Sequence, residues 1–543
     1  MSELRTDILI AGGGVGGCAA AIAAAQHGQC VILTEESDWI GGQLTSQAVP
    51  PDEHGWIERF GCTASYRGFR ERVRDYYRRN YPLTAEARGR KFLNPGAGWV
   101  SPLCHEPRVA LAVLEEMLSP FVSSGRITIL REHKPVAAEV NGDRILAVTV
   151  RDLASGNDLT IHADYVIDAT ELGDLLPLSG AEYVTGFESQ RMTGEPSAPS
   201  EYQPDNVQAF SICFALDYLE GEDHTIERPA RYDFWRDFIP QLTPLWPGPL
   251  LSWTITHPRL MTPHTYHFDP MREPTKAFAG LWTYRRILDH SNFTPGAFAS
   301  DLCLVNWPQT DYLLGDILNC SEEEQARHIA EARQQSLSLV YWLQTEAPRP
   351  GGGQGWPGLQ LRSDVTGARA TDLGLAKMPY IRESRRIKAE FTIVEQHAAE
   401  ALHPGQTHAE RYHDSVGIGY YRIDLHPSTG GDNYIDVGSL PFQIPLGAMI
   451  PARMENLLPA CKNIGTTHIT NGCYRLHPVE WNIGEAAGAL AAHCLERRVT
   501  PRGVYRTQNE LVDFQRLLID RGVELEWPEK LVIEEGDPHI HAR

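Results

Sequence analysis

Gly12, Gly14 and Gly17 form the spacing G-x-G-x-x-G near the start of the chain. Glycines at this spacing permit a tight turn, a close backbone approach to a pyrophosphate, and close packing of a helix on a strand. An apolar run precedes the glycines, an alanine-rich stretch follows them, and Glu35 ends the next apolar run. A glutamate at that distance can accept a hydrogen bond from a ribose hydroxyl. The arrangement therefore predicts a strand, a turn, a helix and a second strand that bind a dinucleotide.

This fingerprint serves both FAD and NAD, and three features favour FAD. The fingerprint begins at residue 12, which leaves no earlier segment for a substrate domain. Gly42 and Gln43 follow the ribose glutamate closely, and a glycine there lets the backbone approach a flavin phosphate or ring edge. A second glycine-rich segment spans residues 456–491. These features predict FAD as a bound cofactor.

Three histidines are candidates for proton transfer. His477 precedes a predicted small-residue helix at the flavin, and it is compatible with a general base or with a structural residue at the turn. His468 belongs to the same segment and has the same two readings. His105, between Cys104 and Glu106, fits an acid/base group, a covalent flavin attachment or simply the start of a helix.

Two later segments are predicted to contact the cofactor. Residues 164–170 form an apolar run that ends in a small-residue turn at Thr170. Residues 475–488 contain a proline at a first-turn position, which places Val479 and Glu480 at the start of a helix. Free N–H groups and positive partial charge at a helix N-terminus would stabilise the anion of a reduced flavin.

Arg382, Glu383, Arg385 and Arg386 stand together in the middle of the chain. Such a cluster can bind an anionic group of a substrate or form a buried network of ion pairs. The network is the favoured interpretation, because arginine–carboxylate networks often join domains.

The motifs together resemble the FAD-dependent oxidoreductases with a glutathione-reductase-like flavin domain. The closest resemblance is to the subgroup often called FAD-dependent oxidoreductase or xanthan-lyase-related. Besides the fingerprint, the resemblance rests on residues 94–96, 99–107, 168–174, 380–386 and 456–488. It implies an α/β fold: a Rossmann-like FAD-binding domain with a parallel sheet and a β-meander, and an inserted α+β substrate domain. Glu171 departs from the pattern, since many relatives have glycine there.

The chain divides into six predicted segments. They are an FAD-binding βαβ unit (1–49), an inserted lobe (50–107), the continued FAD-binding domain (108–185), a tryptophan-rich substrate domain (186–435), the C-terminal part of the FAD-binding domain (436–495), and a C-terminal helix and tail (496–543). Within the third segment we expect a helix, then a β-meander over 127–163, then a separate strand over 164–170.

Composition narrows the function classes. The 543 residues carry 49 basic and 70 acidic side chains, a net charge of −21, which disfavours nucleic acid and anionic membranes as partners. The apolar runs are shorter than a membrane span. A cleaved signal peptide would remove the first strand and the glycines. Ten scattered cysteines without a C-x-x-C pair or metal-site spacing predict reduced thiols, no metal site and a cytoplasmic protein.

The leading functional prediction is an FAD-dependent oxidoreductase. It would transfer hydride between flavin N5 and a small organic substrate, of a hydroxyl-bearing or sugar-like kind, with O₂ or another acceptor reoxidising the flavin. The alternatives are a flavin monooxygenase that uses NAD(P)H and O₂, a tRNA-modifying flavoprotein, or a non-catalytic FAD-binding protein. The sequence favours no particular oligomeric state.

Overall fold

The computed structural model describes residues 2–271 and 280–531 of the chain. Part of the predicted C-terminal tail, residues 532–543, therefore lies outside the described residues. Within the described ranges, none of the helices combines the length and the apolar character needed to cross a bilayer.

The strands are mostly short outside the first 170 residues. They are β1 (Ser2–Ala11), β2 (Val31–Glu35), β3 (Ile127–Arg131), β4 (His133–Asn141), β5 (Arg144–Asp152), β6 (Asp158–Asp168), β7 (Tyr183–Val184), β8 (Phe210–Ser211), β9 (Phe214–Tyr218), β10 (Thr254–Thr256), β11 (Pro263–Thr265), β12 (Arg286–Leu288), β13 (Leu302–Val305), β14 (Asp311–Tyr312), β15 (Leu359–Leu361), β16 (Arg386–Ile387), β17 (Ser415–Gly419), β18 (Ile423–Leu425), β19 (Ile435–Val437), β20 (Phe442–Pro445) and β21 (Leu457–Pro459).

The helices alternate with these strands and vary widely in length. They are α1 (Val15–Gln26), α2 (Ala64–Asn80), α3 (Ala85–Gly89), α4 (Pro107–Ser123), α5 (Leu175–Ser179), α6 (Gln190–Thr193), α7 (Tyr232–Asp237), α8 (Leu281–Tyr284), α9 (Glu322–Thr345), α10 (Ser363–Thr366), α11 (Glu395–Ala398), α12 (His468–Tyr474), α13 (His477–Arg497), α14 (Pro501–Arg506) and α15 (Gln508–Asp520).

A seven-stranded sheet forms the centre of the fold. Its order is β3-β2-β1-β6-β5-β4, and β21 also pairs with β6. The strands β3, β2, β1, β6 and β21 run parallel, with Ile10 opposite both Leu33 and Ile167. The strands β4, β5 and β6 run antiparallel. The sheet therefore has the predicted combination of a parallel part and a β-meander, and the α/β fold class is confirmed.

The prediction for residues 127–170 needs two corrections. Residues 127–131 form β3, which is parallel to β2 and does not belong to the meander. Residues 164–168 form the end of β6 and not a separate strand. The physical reason is the crossover through α4, which returns the chain to the same edge of the sheet in the same direction as β2. Local alternation of apolar residues cannot distinguish these pairings.

Two prolines mark helix starts as predicted. Helix α4 begins at Pro107 directly after Glu106, and Pro478 lies in the first turn of α13. Proline suits these positions because the first N–H groups of a helix have no partner within it. Helix α15 buries Leu511, Phe514 and Leu518 on one face, as its spacing predicts.

Three separate hydrophobic cores are present among the described residues. Two lie on opposite faces of the large sheet, and one of these two contains α1, α4 and α13. The third is built from the middle of the chain and buries seven tryptophans: Trp235, Trp246, Trp253, Trp282, Trp307, Trp342 and Trp356. Core packing therefore accounts for most of the tryptophans in this part of the chain.

Helix α13 crosses α1 with the two backbones in contact. A side-chain carbon at Gly484 would overlap the carbonyl oxygen of Gly16, and one at Gly488 would overlap that of Ala20. A carbon at Gly16 would in turn overlap the carbonyl oxygen of Ala460, directly after β21. Glycine is required at these places because no side chain fits between the backbones.

We expect Gly488→Ala to destabilise the protein by about 1–3 kcal/mol, because the added methyl group must push α13 away from α1. Thermal unfolding of the purified protein measures this. The matched control is Gly68→Ala in α2, where a side-chain carbon meets no atom within 4 Å. The control should be neutral or stabilising by up to about 1 kcal/mol. A Gly488→Ala protein that unfolds at the wild-type temperature would contradict the close packing.

Candidate functional site

A cleft lies at the carboxyl ends of β1, β2 and β6, and we call it the cofactor cleft. Its volume is about 90 Å³. Five of the residues predicted to bind the cofactor line it together: Gly12, Gly14, Glu35, Gly42 and Thr170. The carboxyl edge of a parallel sheet is where dinucleotides bind in folds of this kind.

The three fingerprint glycines have different environments. Gly12 has φ +99°, and a side chain there would overlap the backbone of Ala169. A side chain at Gly17 would overlap the carbonyl oxygen of Gly12. Gly14 faces the cleft, where the nearest neighbour of an added carbon is the end of the Glu171 side chain, at 2.9 Å. The space in front of Gly14 is thus a cradle that a side chain would fill, and it fits the pyrophosphate of FAD.

Glu35 is held in a fixed orientation at the end of β2. Its Oε2 accepts a hydrogen bond from the N–H of Gly13 at 3.0 Å, and its Oε1 accepts from the N–H of Ser37 at 2.9 Å and from its hydroxyl at 2.8 Å. Burial raises the pKa of Glu35 to about 7. A carboxylate has about four acceptor positions, so one is left for a ribose hydroxyl.

Gln43, Val479 and Glu480 do not line the cleft but lie behind the glycine turn. Gln43 donates to Glu480 Oε2 at 2.5 Å, and the N–H of Gly16 donates to Glu480 Oε1 at 3.4 Å. Val479 is buried in the large core, where a side chain on Gly419 would lie 2.5 Å from it. These residues connect the start of α13 to the start of α1.

Glu171 enters the cofactor cleft from the turn after β6. An added carbon on Gly42 would lie 2.6 Å from Glu171 Oε1, and this oxygen has no hydrogen-bond partner among the described residues. The other oxygen pairs with Lys462, whose ammonium also lies 3.4 Å from Glu480 and 3.3 Å from the sulfur of Cys461. The positive charge between the two carboxylates and the sulfur is therefore that of the Lys462 side chain. Burial alone would lower the pKa of Lys462, but the neighbouring anionic groups raise it.

The three candidate histidines lie apart from the cofactor cleft. His477 is fully buried, and its Nδ1 accepts the N–H of Asp52 at 3.1 Å, so the ring proton is on Nε2. Nε2 has no partner among the described residues. Burial lowers the pKa of His477 to about 3, which keeps the ring neutral.

His105 is similarly buried at the start of α4. Its Nδ1–H donates to the carbonyl of Glu106 at 3.1 Å, and its Nε2 has no partner among the described residues. Burial lowers the pKa of His105 to about 4. Its ring contacts Phe69 edge to face, at 6.1 Å between the centroids.

His468 belongs to a buried network of ion pairs. Its Nδ1 lies 2.9 Å from Glu383, and its ring stacks on Phe187 at 4.1 Å. Arg386 pairs with Glu383 at 2.6 Å and with Glu188 at 2.9 Å. Burial would raise the pKa of Glu383, but His468 and Arg386 lower it to about 2. For Arg386 and Glu383, the structure has the network expected from the arginine-rich sequence.

A second cavity, of about 390 Å³, lies beside the start of α13. We call it the aromatic cavity because its walls include the rings of Tyr284, Trp307, Tyr380, Tyr421 and Tyr434. None of His477, His468 and His105 is part of its lining. The volume is near the lower end of the range for small-molecule sites.

The segment of residues 378–382 separates the two cavities. Met378, Pro379 and Ile381 line the cofactor cleft, whereas Tyr380 and Arg382 line the aromatic cavity. From Pro379 to Arg382 the side chains alternate between the two cavities, as successive side chains of extended backbone do. Met378 lies in a bend before this stretch.

Backbone hydrogen bonds hold this segment on both sides. The N–H of Met378 donates to the carbonyl of Ser46 at 3.0 Å, in the segment that follows Gly42. The N–H of Tyr380 donates to Ser211 at 2.8 Å, in β8. The two cavities are therefore neighbours across a single extended segment.

A histidine–aspartate pair lies on the wall of the aromatic cavity, and sequence reasoning missed it. His426 lines the cavity, and its Nδ1 is 2.7 Å from Asp311 Oδ2. Asp311 also accepts from the hydroxyl of Ser211 at 2.9 Å and pairs with Arg382 at 3.1 Å. Burial would raise the pKa of Asp311, but Arg382 and His426 lower it. No local motif identifies the pair, because its members are 115 residues apart.

The glycine turn, the ordered glutamate and the parallel sheet define a dinucleotide-binding protein. The sequence matches the family of FAD-dependent oxidoreductases over residues 7–518. The chain therefore belongs to this enzyme family, and FAD is its cofactor. No curated protein matches the sequence significantly.

Similar solved structures are flavoproteins with low sequence identity. The quinol fumarate reductase FrdA of E. coli is 10% identical over 96% of this chain and 74% of its own, with a TM-score of 0.33. The flavin-dependent monooxygenase PieE is 15% identical over 40% of this chain, with a TM-score of 0.25, and L-proline dehydrogenase from P. horikoshii is 17% identical over 34%, with a TM-score of 0.18. The matches span only 36% of the PieE chain and 24% of the dehydrogenase chain.

We expect Gly14→Val to give folded protein without flavin, because the branched side chain occupies the place of the pyrophosphate. Absorbance of the purified protein should show less than about a tenth of the wild-type flavin content, a loss typical of a blocked site. Circular dichroism should match that of wild-type protein stripped of flavin. A yellow variant with full flavin content would refute the assignment of the cradle.

We expect Glu171→Gln to tighten FAD binding by about tenfold, on the order of 1.4 kcal/mol, because it removes a negative charge facing the pyrophosphate. Titration of flavin-free protein with FAD measures the dissociation constant. Glu496→Gln, on the exposed end of α13, is the matched control and should have no effect. An unchanged or weaker affinity of the Glu171 variant would show that this carboxylate does not oppose the cofactor.

Proposed function

We propose that this FAD-dependent oxidoreductase oxidises a small hydroxyl-bearing molecule bound in the aromatic cavity. The observation that carries the proposal is the His426–Asp311 pair on the wall of a cavity next to the cofactor cleft. A small polar substrate with a sugar-like or ring-shaped body would find aromatic faces to pack against.

FAD, when bound, supplies a two-electron acceptor that takes a hydride at N5. The protein must then accept the proton of the substrate hydroxyl. Ionised Asp311 orients His426 through Nδ1–H, which leaves Nε2 as the unprotonated nitrogen. We assign the role of general base to this nitrogen. A second small molecule, O₂ or another acceptor, completes the cycle.

The sequence analysis predicts His477, His468 and His105 as catalytic, and for these we propose supporting roles. His477 holds the backbone of Asp52, which lines the aromatic cavity and pairs with Arg285 at 3.0 Å. Its Nδ1 is already an acceptor, so it has no nitrogen free to take a proton. For His468 we propose a structural role in the ion-pair network of Glu383, and for His105 a structural role at the start of α4.

For the cofactor, we propose that Gly12, Gly14, Gly42 and Thr170 contact FAD and that Glu35 binds its ribose. Four further residues support the site from behind the turn: Gly17, Gln43, Val479 and Glu480. This division follows their places inside and behind the cofactor cleft.

We also propose a cytoplasmic location. All ten cysteines are free thiols, and eight of them are buried. Free thiols in this number are typical of a reducing compartment.

We expect His426→Asn to slow flavin reduction by about 10²- to 10⁴-fold, the usual contribution of a general base. The same variant should keep its FAD. The measurement is anaerobic stopped-flow bleaching by the hydroxy compound that reduces wild-type protein fastest.

His413→Asn is the matched control, since the side chain of His413 is 71% exposed. Its reduction rate should equal that of wild type. If flavin reduction in His426→Asn proceeds at the wild-type rate, another residue takes the proton.

A further inference from the structure

Three arginines from distant parts of the chain meet in the aromatic cavity. Arg285, Arg382 and Arg475 all line it, and their side chains are at most 9% exposed. In each of them the Nε–H group is buried without a hydrogen-bond partner among the described residues. Buried donors without partners are rare in native proteins and call for an explanation.

Two further groups of this wall are buried without a hydrogen-bond partner among the described residues. They are the indole N–H of Trp307, which can only donate, and the hydroxyl of Tyr434, which can donate or accept. Among the described residues that line the cavity, no buried carboxylate or amide oxygen lacks a partner. The cavity therefore has donors in excess, and the complementary ligand is rich in acceptors.

Each arginine also has an acidic partner that fixes its position. Arg285 pairs with Asp52 at 3.0 Å, Arg382 with Asp311 at 3.1 Å, and Arg475 with Asp424 at 3.7 Å. Arg259, the fourth arginine of the lining, pairs with Asp436 at 3.5 Å. The aspartates balance the positive charge of these arginines, so the net charge of the cavity does not by itself attract an anion. Recognition of an anion must therefore come from oriented N–H groups.

Arg475 is the least neutralised of the three. Its acidic contact is the longest, and its other hydrogen bonds go to neutral groups: the hydroxyl of Tyr380 at 3.3 Å and the carbonyl of Asp424 at 3.0 Å. It directly precedes Leu476, the residue before the first turn of α13, which also lines the cavity. The positive end of the dipole of this 21-residue helix thus adds positive potential beside Arg475.

We propose that the substrate of the aromatic cavity carries a carboxylate, which binds to Arg475 and Arg285. Together with the oxidation at a hydroxyl-bearing carbon, which is the proposed function on which this inference rests, the substrate class is a hydroxy acid. A carboxylate offers paired acceptor oxygens that match the planar donor geometry of arginine.

Equilibrium binding to the FAD-loaded enzyme tests the proposal without turnover. The probes are three matched pairs: benzoate and benzamide, glycolate and ethylene glycol, mandelate and 1-phenyl-1,2-ethanediol. Calorimetry or the shift of the flavin spectrum gives each dissociation constant. At least one carboxylate should bind tenfold or more tightly than its neutral partner. If no carboxylate exceeds its partner tenfold, the proposal is wrong.

Variants locate the binding site of the best carboxylate probe. Arg475→Gln and Arg285→Gln should each weaken it at least tenfold while leaving the neutral partner unchanged. Arg516→Gln, an exposed position on α15, is the matched control. Two variants are used so that a folding defect in one, detected by flavin content and melting temperature, leaves the other as the test. Unchanged affinity in a folded variant would overturn the assignment.

Anaerobic bleaching of the flavin separates this inference from the proposed function. Bleaching by a neutral diol, without binding of any carboxylate, would preserve the oxidation and overturn the carboxylate. Carboxylate binding without bleaching by glycolate, mandelate or any other hydroxy acid tested would preserve the anion site and overturn the hydroxy-acid class.

Discussion

The contact between α1 and α13 without intervening side chains is the constraint on which the rest of the site depends. Gly16, Gly484 and Gly488 let the two backbones touch, and the same contact brings Glu480 under the N–H of Gly16. The start of α13 is thereby fixed beside the glycine turn that is proposed to contact the pyrophosphate. Because Leu476 at that start also lines the aromatic cavity, one packing contact sets the position of both cavities.

The segment of residues 378–382 forms a wall between the cofactor cleft and the aromatic cavity. An extended strand shows alternate side chains to opposite faces, so a short segment can serve a cofactor on one side and a substrate on the other. Its hydrogen bonds to Ser46 and Ser211 connect it both to the segment that follows Gly42 and to the tryptophan-rich core. A shift of one residue in this segment would exchange the two sets of side chains.

How much the sequence predicts depends on how far apart the cooperating residues are. The glycine fingerprint, Glu35 and the prolines at the starts of α4 and α13 act locally, and their geometry could be predicted from spacing. The pairing of β3 could not, because a crossover helix decides it. His426 and Asp311, or Arg285 and Arg475, meet only when the cores pack, and no short motif contains them. The three histidines that the sequence predicts as catalytic are buried, and their Nδ1 atoms contact Asp52, Glu106 and Glu383.

The cofactor cleft is lined by acidic side chains, although the pyrophosphate of FAD is also negatively charged. Glu35, Glu36, Glu171 and Asp174 line it, and its described lining includes no lysine or arginine. We propose that backbone N–H groups at the start of α1 stabilise the pyrophosphate of FAD, together with Lys462 from behind Glu171. Burial raises the pKa of Glu35 to about 7, which favours its neutral form more than in a free glutamate and so lessens the repulsion.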